Sequence, residues 1–272
     1  MAEEVQLHGE LWHETAFAGA KGRGAMDSVM LAKNMLEEND DLRMVGRDIR
    51  SAFNGLRRDI TAKILAKHRP LQQWVEEFWR PRTIDIWVDG RVAHTTTMTA
   101  GTTQGSPLSP SLFSIYASEM VWRAQRTLRQ QVLQRRSSKR LQKLPEKDRL
   151  LPLCYIDDIN TLVSRTTQTS RWHEQLDKAA ESVMFKWDKS KDWKGSDHTH
   201  LGVYIGNERR HWKDRLKKAR GMWECVSRLT RLPPMTKRTI VCGQLIPILC
   251  YGCEAFDEPN EEMSRLVRAW SR

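Results

Sequence analysis

The chain has 272 residues, 39% hydrophobic and 29% charged, a balance that excludes a disordered chain and allows one good core or two small ones. Its 45 Lys and Arg against 34 Asp and Glu give a formal charge of +11, which suits a phosphate-rich partner better than an acidic or neutral small molecule. No run of about 18 apolar residues and no secretory leader pattern is present, so neither membrane contact nor export is expected; an intracellular site is, nuclear and cytoplasmic alike.

Met26, Val29, Met30 and Leu36 recur at helical spacing, which predicts a helix over 26–37 behind a flexible loop with Gly19, Gly22 and Gly24. Leu42 to Ile49 reads as a short strand that presents Asp48 at its end. Leu56 to Lys67 reads as a helix that Pro70 stops. The runs 84–88 and 93–99 flank Asp89-Gly90 and predict a hairpin, since this dipeptide tolerates the positive φ that tight turns need. Ser106 and Pro107 are read as the cap and first turn of a helix that continues past Trp122. From Arg123 to Arg149 the sequence is basic, and a solvated helical insertion competes evenly with nucleic-acid contact. Leu151 to Val163 alternates, with Asp157-Asp158 placed at a hairpin turn. Helices are expected over about 170–185, 210–229 and 236–251, and a strand over 201–205. The five cysteines form an odd, unpatterned set that fits a reducing compartment, and Cys250 and Cys253 read as buried helix thiols before half a zinc site.

Three acids in two places, Asp48 and the Asp157-Asp158 pair, form the kind of cluster that two Mg²⁺ ions need, because hard cations take oxygen ligands. In nucleotidyl transfer one ion activates the attacking hydroxyl and the other steadies the triphosphate. An Asp-Asp pair by itself is equally a turn former.

The order of the surrounding residues is more specific. Arg47 to Asn54 (RDIRSAFN), Thr103 to Phe113 (TQGSPLSPSLF) and Tyr155 to Asp158 (YIDD) resemble, in order, the three catalytic blocks of reverse transcriptases, above all those of non-LTR (LINE-like) retrotransposons. Ala16 to Asp27 (AFAGAKGRGAMD) resembles the fingers motif that precedes them, and Leu201 to Gly206 (LGVYIG) the strand ahead of the thumb.

The resemblance implies an α+β right-hand polymerase fold, a palm of antiparallel sheet backed by helices. Its divisions are partial fingers over 1–41, palm over 42–68, a fingers hairpin over 69–99, palm again over 100–206 and the start of a thumb over 207–272. It implies Asp48, Asp157 and Asp158 as catalytic metal ligands, the Ile49 carbonyl as a further ligand, and two Mg²⁺ ions, with Mn²⁺ as a substitute. Phe53 matches the gate that leaves no room for a ribose 2′-hydroxyl. Arg50, Gln104, Gly105 and Lys191 fall at nucleotide-binding positions, and Tyr155, Trp212 and Lys213 at nucleic-acid-binding ones. The implied partners are an RNA template, a DNA primer and dNTPs. The chain starts just before the fingers motif and ends within the thumb, so truncated fingers and a fragment of a longer protein are expected. Against the polymerase stand a degenerate retroelement remnant that only binds RNA or DNA, and an RNA-dependent RNA polymerase, which Phe53 argues against.

Overall fold

The structure, a computed structural model, describes residues 11–19, 22–135, 151–164, 169–188, 193–194, 198–256 and 261–270. The chain divides into two compact units, Met1–Ser28 with Asn39–Gly195, and Val29–Glu38 with Ser196–Arg272.

The first unit is built on a four-stranded antiparallel sheet. Its strands are β1 (Leu42–Asp48), β4 (Leu151–Tyr155), β5 (Asp158–Ser164) and β6 (Trp193–Lys194), in the order β4-β5-β1-β6. β1 is central, and Met44 to Asp48 are all buried, as a strand covered on both faces requires. Between β1 and β4 come the short helix α2 (Ala52–Gly55), α3 (Arg58–Ile64), α4 (Arg69–Phe78), the ribbon β2 (Arg82–Val88) and β3 (Arg91–Met98), and the long helix α5 (Ser109–Arg135). α5 turns Leu112, Phe113, Tyr116, Met120 and Ala124 inward, and α6 (Thr169–Ser182) turns Trp172, Leu176 and Ala180 inward, both at helical spacing. These residues share one core with Ile49 and Ile159 of the sheet, and the Trp172 indole N–H donates to the Thr161 hydroxyl of β5 at 2.9 Å.

The second unit carries the ribbon β7 (His198–His200) and β8 (Val203–Ile205) and the helices α7 (Glu208–Arg228), α8 (Pro234–Ile240), α9 (Ile246–Cys250) and α10 (Glu261–Trp270). Residues 25–38 form one further helix, α1 (Ala25–Glu38), whose first residues belong to the first unit and whose remainder belongs to the second. Trp212, Leu216, Ala219, Leu249 and Met263 form the core that joins α7, α9 and α10. α8 passes into α9 through a π-helical turn, Val241–Leu245, just where Pro247 lacks the amide that a regular helix would use. No helix among the described residues is long and apolar enough to cross a membrane.

Several expectations are corrected or refined. The helical run before Pro70 ends at Lys67, and Pro70 also sits in the first turn of α4, where its missing N–H costs nothing. α5 starts at Ser109, so Pro110 and not Pro107 occupies its first turn. The β4–β5 turn is Ile156-Asp157, and Asp158 is already the first residue of β5. Gly19 is no flexible loop residue: an added Cβ would come within 2.7 Å of the Ser111 backbone, whose hydroxyl donates to the Gly19 carbonyl at 3.0 Å. β7–β8, for its part, groups with the C-terminal helices in the second compact unit. The Arg215 guanidinium donates to the Gly202 carbonyl at 2.6 Å, and the Tyr251 hydroxyl donates to the Leu201 carbonyl at 2.7 Å.

Candidate active site

The antiparallel register of β1 and β5 sets Asp48 directly opposite Asp158. One residue on, the Ile49 N–H donates to the Asp157 carbonyl at 3.0 Å, so the end of β1 and the β4–β5 turn are stitched together at the acids. Asp48 is 7% exposed, while Asp157 and Asp158 are half-buried. The turn needs a positive φ at Ile156 (54°), a poor position for a β-branched residue. Ile156 packs against the main core, which holds it there.

The other side of β1 is closed by Phe185 to Asp188. The Asp188 N–H donates to the Asp48 carbonyl at 3.0 Å, and the Arg50 N–H donates to the Lys186 carbonyl at 2.8 Å. Arg47 points away from the acids: its guanidinium pairs with Asp177 and lies 5.2 Å over the Trp187 ring. The cation nearest Asp48 in sequence is thereby engaged on the opposite face of the sheet.

Below the site runs a chain of rings. Phe53 is half-buried with its ring 5.7 Å from Phe113, Phe113 lies 5.4 Å from Phe185, and Phe185 meets Tyr116 edge-on at 4.5 Å. The buried Tyr116 hydroxyl donates to the Val183 carbonyl, and burial pushes its pKa up to about 12. This ladder carries α5 packing to the strand beside Asp48. Only Phe53 and Phe113 stand in residue blocks that the sequence singled out.

Gln104 and Gly105 lie exposed on the loop before α5, with Gly105 at φ 86°. The anchors of that loop escaped the sequence reading. Gly101 (φ 70°) lies so close to α2 that a Cβ would fall 2.8 Å from the Phe53 carbonyl oxygen, and the Thr102 N–H donates to that same carbonyl at 2.9 Å. The Arg58 guanidinium donates to the Gly101 and Trp79 carbonyls at 2.9 and 2.8 Å. The Ser109 hydroxyl closes the loop on the Thr103 carbonyl at 2.6 Å. Gly-Thr just before Gln-Gly was the available clue, but its reason lies nearly fifty residues upstream.

Other expected residues fall elsewhere. Tyr155 is half-buried and pairs with Asp158 across the hairpin. Lys213 is exposed on α7 in the second unit. Trp212 is turned inward and not toward nucleic acid: it is 3% exposed, its indole N–H donates to Glu208 at 2.8 Å, and its ring packs 5.1 Å from Phe256. His211 is likewise buried. Lys191 lies outside the described residues. Cys250 and Cys253 are half-buried thiols whose pKa burial raises, and Cys242 is exposed.

Among the described residues, no three His, Cys, Asp or Glu side chains stand at metal-holding spacing. The three aspartates nevertheless have the oxygen donors a divalent cation takes, and the β1–β5 register sets two of them, Asp48 and Asp158, opposite one another. Directly opposed residues of antiparallel strands carry Cβ atoms about 4.5–5.5 Å apart on one face, within which two carboxylates can share an ion. The register therefore brings Asp48 and Asp158 face to face, with Asp157 next to them in the turn and tied through its carbonyl to the Ile49 N–H.

The family model for reverse transcriptase (RNA-dependent DNA polymerase) matches residues 1–205. The chain belongs to that family. Its members copy RNA templates into DNA with divalent metals, and the matched stretch contains all three aspartates and both loop residues. No curated protein matches the sequence. Among solved structures the chain is similar to apo telomerase from Candida tropicalis truncated from its C-terminal domain. The TM-score is 0.51 at 13% identity over 75% of this chain and 42% of that one. It is also matched to telomerase from Candida albicans in complex with the TWJ fragment of telomeric RNA, with a TM-score of 0.43 at 10% identity over 99% of this chain and 49% of that one. The chain thus spans less than half the length of either. The first likeness accords with the antiparallel sheet and its helices, so the reverse-transcriptase-type domain has the right-hand polymerase fold.

Proposed function

We propose that this chain is the polymerase core of a non-LTR (LINE-like) reverse transcriptase, acting inside the cell to extend a DNA primer along an RNA template with dNTPs. The observation that carries the reading is the pairing of Asp48 with Asp158 while Asp157 is tied to Ile49. Asp48, Asp157, Asp158 and the Ile49 carbonyl would hold Mg²⁺, or Mn²⁺ in its place, which when bound lowers the pKa of the primer 3′-hydroxyl and neutralises the triphosphate. Arg50, exposed just past Asp48, faces the triphosphate. The Phe53 ring, backed by Phe113, occupies the space a 2′-hydroxyl would need. Gln104 and Gly105, on their pinned loop, lie against the nucleotide and template, with a residue lacking a side chain allowing close backbone approach. Lys191 protonates the leaving pyrophosphate, and Tyr155 and Lys213 contact nucleic acid. The non-LTR assignment draws on the three sequence blocks at 47–54, 103–113 and 155–158.

Primer extension on poly(rA)·oligo(dT) with dTTP and Mg²⁺ tests this. Extension is expected from the wild-type chain and not from Asp157→Ala. Wild-type extension no greater than that variant's would leave a nucleic-acid-binding remnant. Phe53→Ala is expected to admit ribonucleotides, measured by rNTP competition against dNTP.

A further inference from the structure

The strand that closes β1 opposite β5 brings a cation to the acids that no sequence block contains. Phe185 to Asp188 runs antiparallel to the end of β1, with Trp187 directly opposite Ile49 and the two flanking backbone hydrogen bonds in place. Side chains alternate faces along such a ladder. Trp187 and Arg47 share one face, where the guanidinium lies over the ring. Lys186 and Asp188 therefore stand on the other face, with Asp48, Arg50 and, through the β1–β5 register, Asp158. Lys186 meets its pairing obligation through its backbone carbonyl, which accepts from Arg50; its side chain is exposed, and no ion pair among the described residues engages its ammonium.

Four carboxylates (Asp48, Asp157, Asp158 and Asp188) and two exposed cations (Arg50 and Lys186) thus share one end of the sheet. The cations lie two residues beyond Asp48 and Asp188 along their strands, about 6.5 Å at strand rise. We propose that Lys186 contacts the β- and γ-phosphates of the incoming nucleotide, opposite Arg50, and holds the pyrophosphate as it leaves. This rests on the polymerase reading. In that reaction the primer 3′-oxygen bonds the α-phosphorus and gives up its proton to solvent water. The bond between that phosphorus and the α–β bridging oxygen breaks, and its electron pair leaves on the pyrophosphate. A fixed cation beyond the carboxylates favours this developing charge. A primer phosphodiester offers one negative charge there, whereas the triphosphate and its product offer three or four. A lysine suits the task because a point charge on a flexible stem can follow the group through the step.

Two readouts on the full chain with poly(rA)·oligo(dT) test the assignment: the half-saturating dTTP for extension, and the dTTP needed to form a challenge-resistant complex on a dideoxy-terminated primer. Lys186→Ala is expected to raise both about tenfold, with primer–template affinity and melting temperature unchanged, because only a side chain beyond the backbone pairing is lost. Lys186→Arg is expected to restore both to within about threefold. Pyrophosphorolysis is expected to need about tenfold more pyrophosphate in the alanine variant. If the wild-type chain extends the primer but Lys186→Ala leaves both dTTP values within about twofold, or weakens primer–template binding instead, the assignment falls and the polymerase reading stands. If the wild-type chain neither extends nor forms the dTTP-dependent complex, both fall.

Discussion

Two tight hairpins of the first unit turn on two residues each and are held by different means. β2–β3 turns on Asp89-Gly90 at φ 51° and 74°, residue types that tolerate this backbone, while Ile86, Trp87, Val88 and Val92 on its strands are exposed, Trp87 by 64%. β4–β5 turns on Ile156-Asp157, with the positive φ falling on a β-branched residue, yet β5 is buried from Ile159 to Ser164 and Ile156 leans on the core. Local chemistry specifies the first hairpin, whereas packing holds the second in a conformation that its own residues resist. A strained turn enforced by its surroundings is a usual way to fix functional groups, and the turn so enforced is the one that carries Asp157.

The largest break in this comparison is chemical. Asp157→Ala is expected to lower primer extension by at least roughly 10³-fold, since on the proposed reading it removes a metal ligand that contributes several kcal/mol to the transition state. Asp89→Ala, a change at the turn of the other hairpin, is expected to leave extension within about twofold. Equal losses from both would mean that the β4–β5 turn holds no special chemistry.

Hydrogen exchange sharpens the contrast. Amides of β1 and β5 are expected to exchange about 10³-fold more slowly than those of β2 and β3, because a ribbon with exposed strands opens without disturbing a core. Cys154 on β4 offers a second probe: burial pushes its thiol up to about 12, so thiolate is scarce at pH 8. Alkylation is expected at the exposed Cys225 and Cys242, with Cys154 modified only when β4 leaves the sheet. Rapid labelling of native Cys154 would show that packing does not clamp this hairpin.

Two glycines separate backbone strain from collision. Gly90→Ala is expected to cost about 1–2 kcal/mol, since φ is positive but nothing lies within 4 Å of the new Cβ. At Gly101 the same backbone cost is joined by contact with the Phe53 carbonyl at 2.8 Å, so Gly101→Ala is expected to cost roughly 3 kcal/mol or more in urea melts. It should also slow extension, because the Gln104 loop is pinned there.

What the sequence made legible follows the same division. The helix at 25–38, β1 and the β2–β3 hairpin were readable from periodicity and from Asp-Gly, which are local properties. At Pro70 only the end of the preceding helical run at Lys67 was legible, because a proline after a helix and a proline opening the next give the same local signal. On α7 the resemblance pointed to Trp212 and Lys213 as nucleic-acid contacts, while His211, Trp212, Arg215, Leu216 and Ala219 mark the inward stripe at helical spacing. Gly101, the Arg58 clip and the position of Lys186 opposite Arg50 could not be read, because each depends on a neighbour more than forty residues away.

The smallest expected change in stability probes the strained turn itself, through Ile156→Gly. Two opposing terms act on stability. Glycine relieves a left-handed conformation that costs an ordinary residue about 1–2 kcal/mol. It also withdraws a half-buried side chain from the core, a loss of about 1–2 kcal/mol when full burial of an isoleucine is worth 1.5–3. The net change in urea melts is therefore expected to stay within about 1 kcal/mol. Extension should fall more than this, since the side chain that fixes the turn, and with it Asp157, is gone. A loss of several kcal/mol would show that burial far outweighs strain at Ile156, and that the turn is an ordinary packed corner.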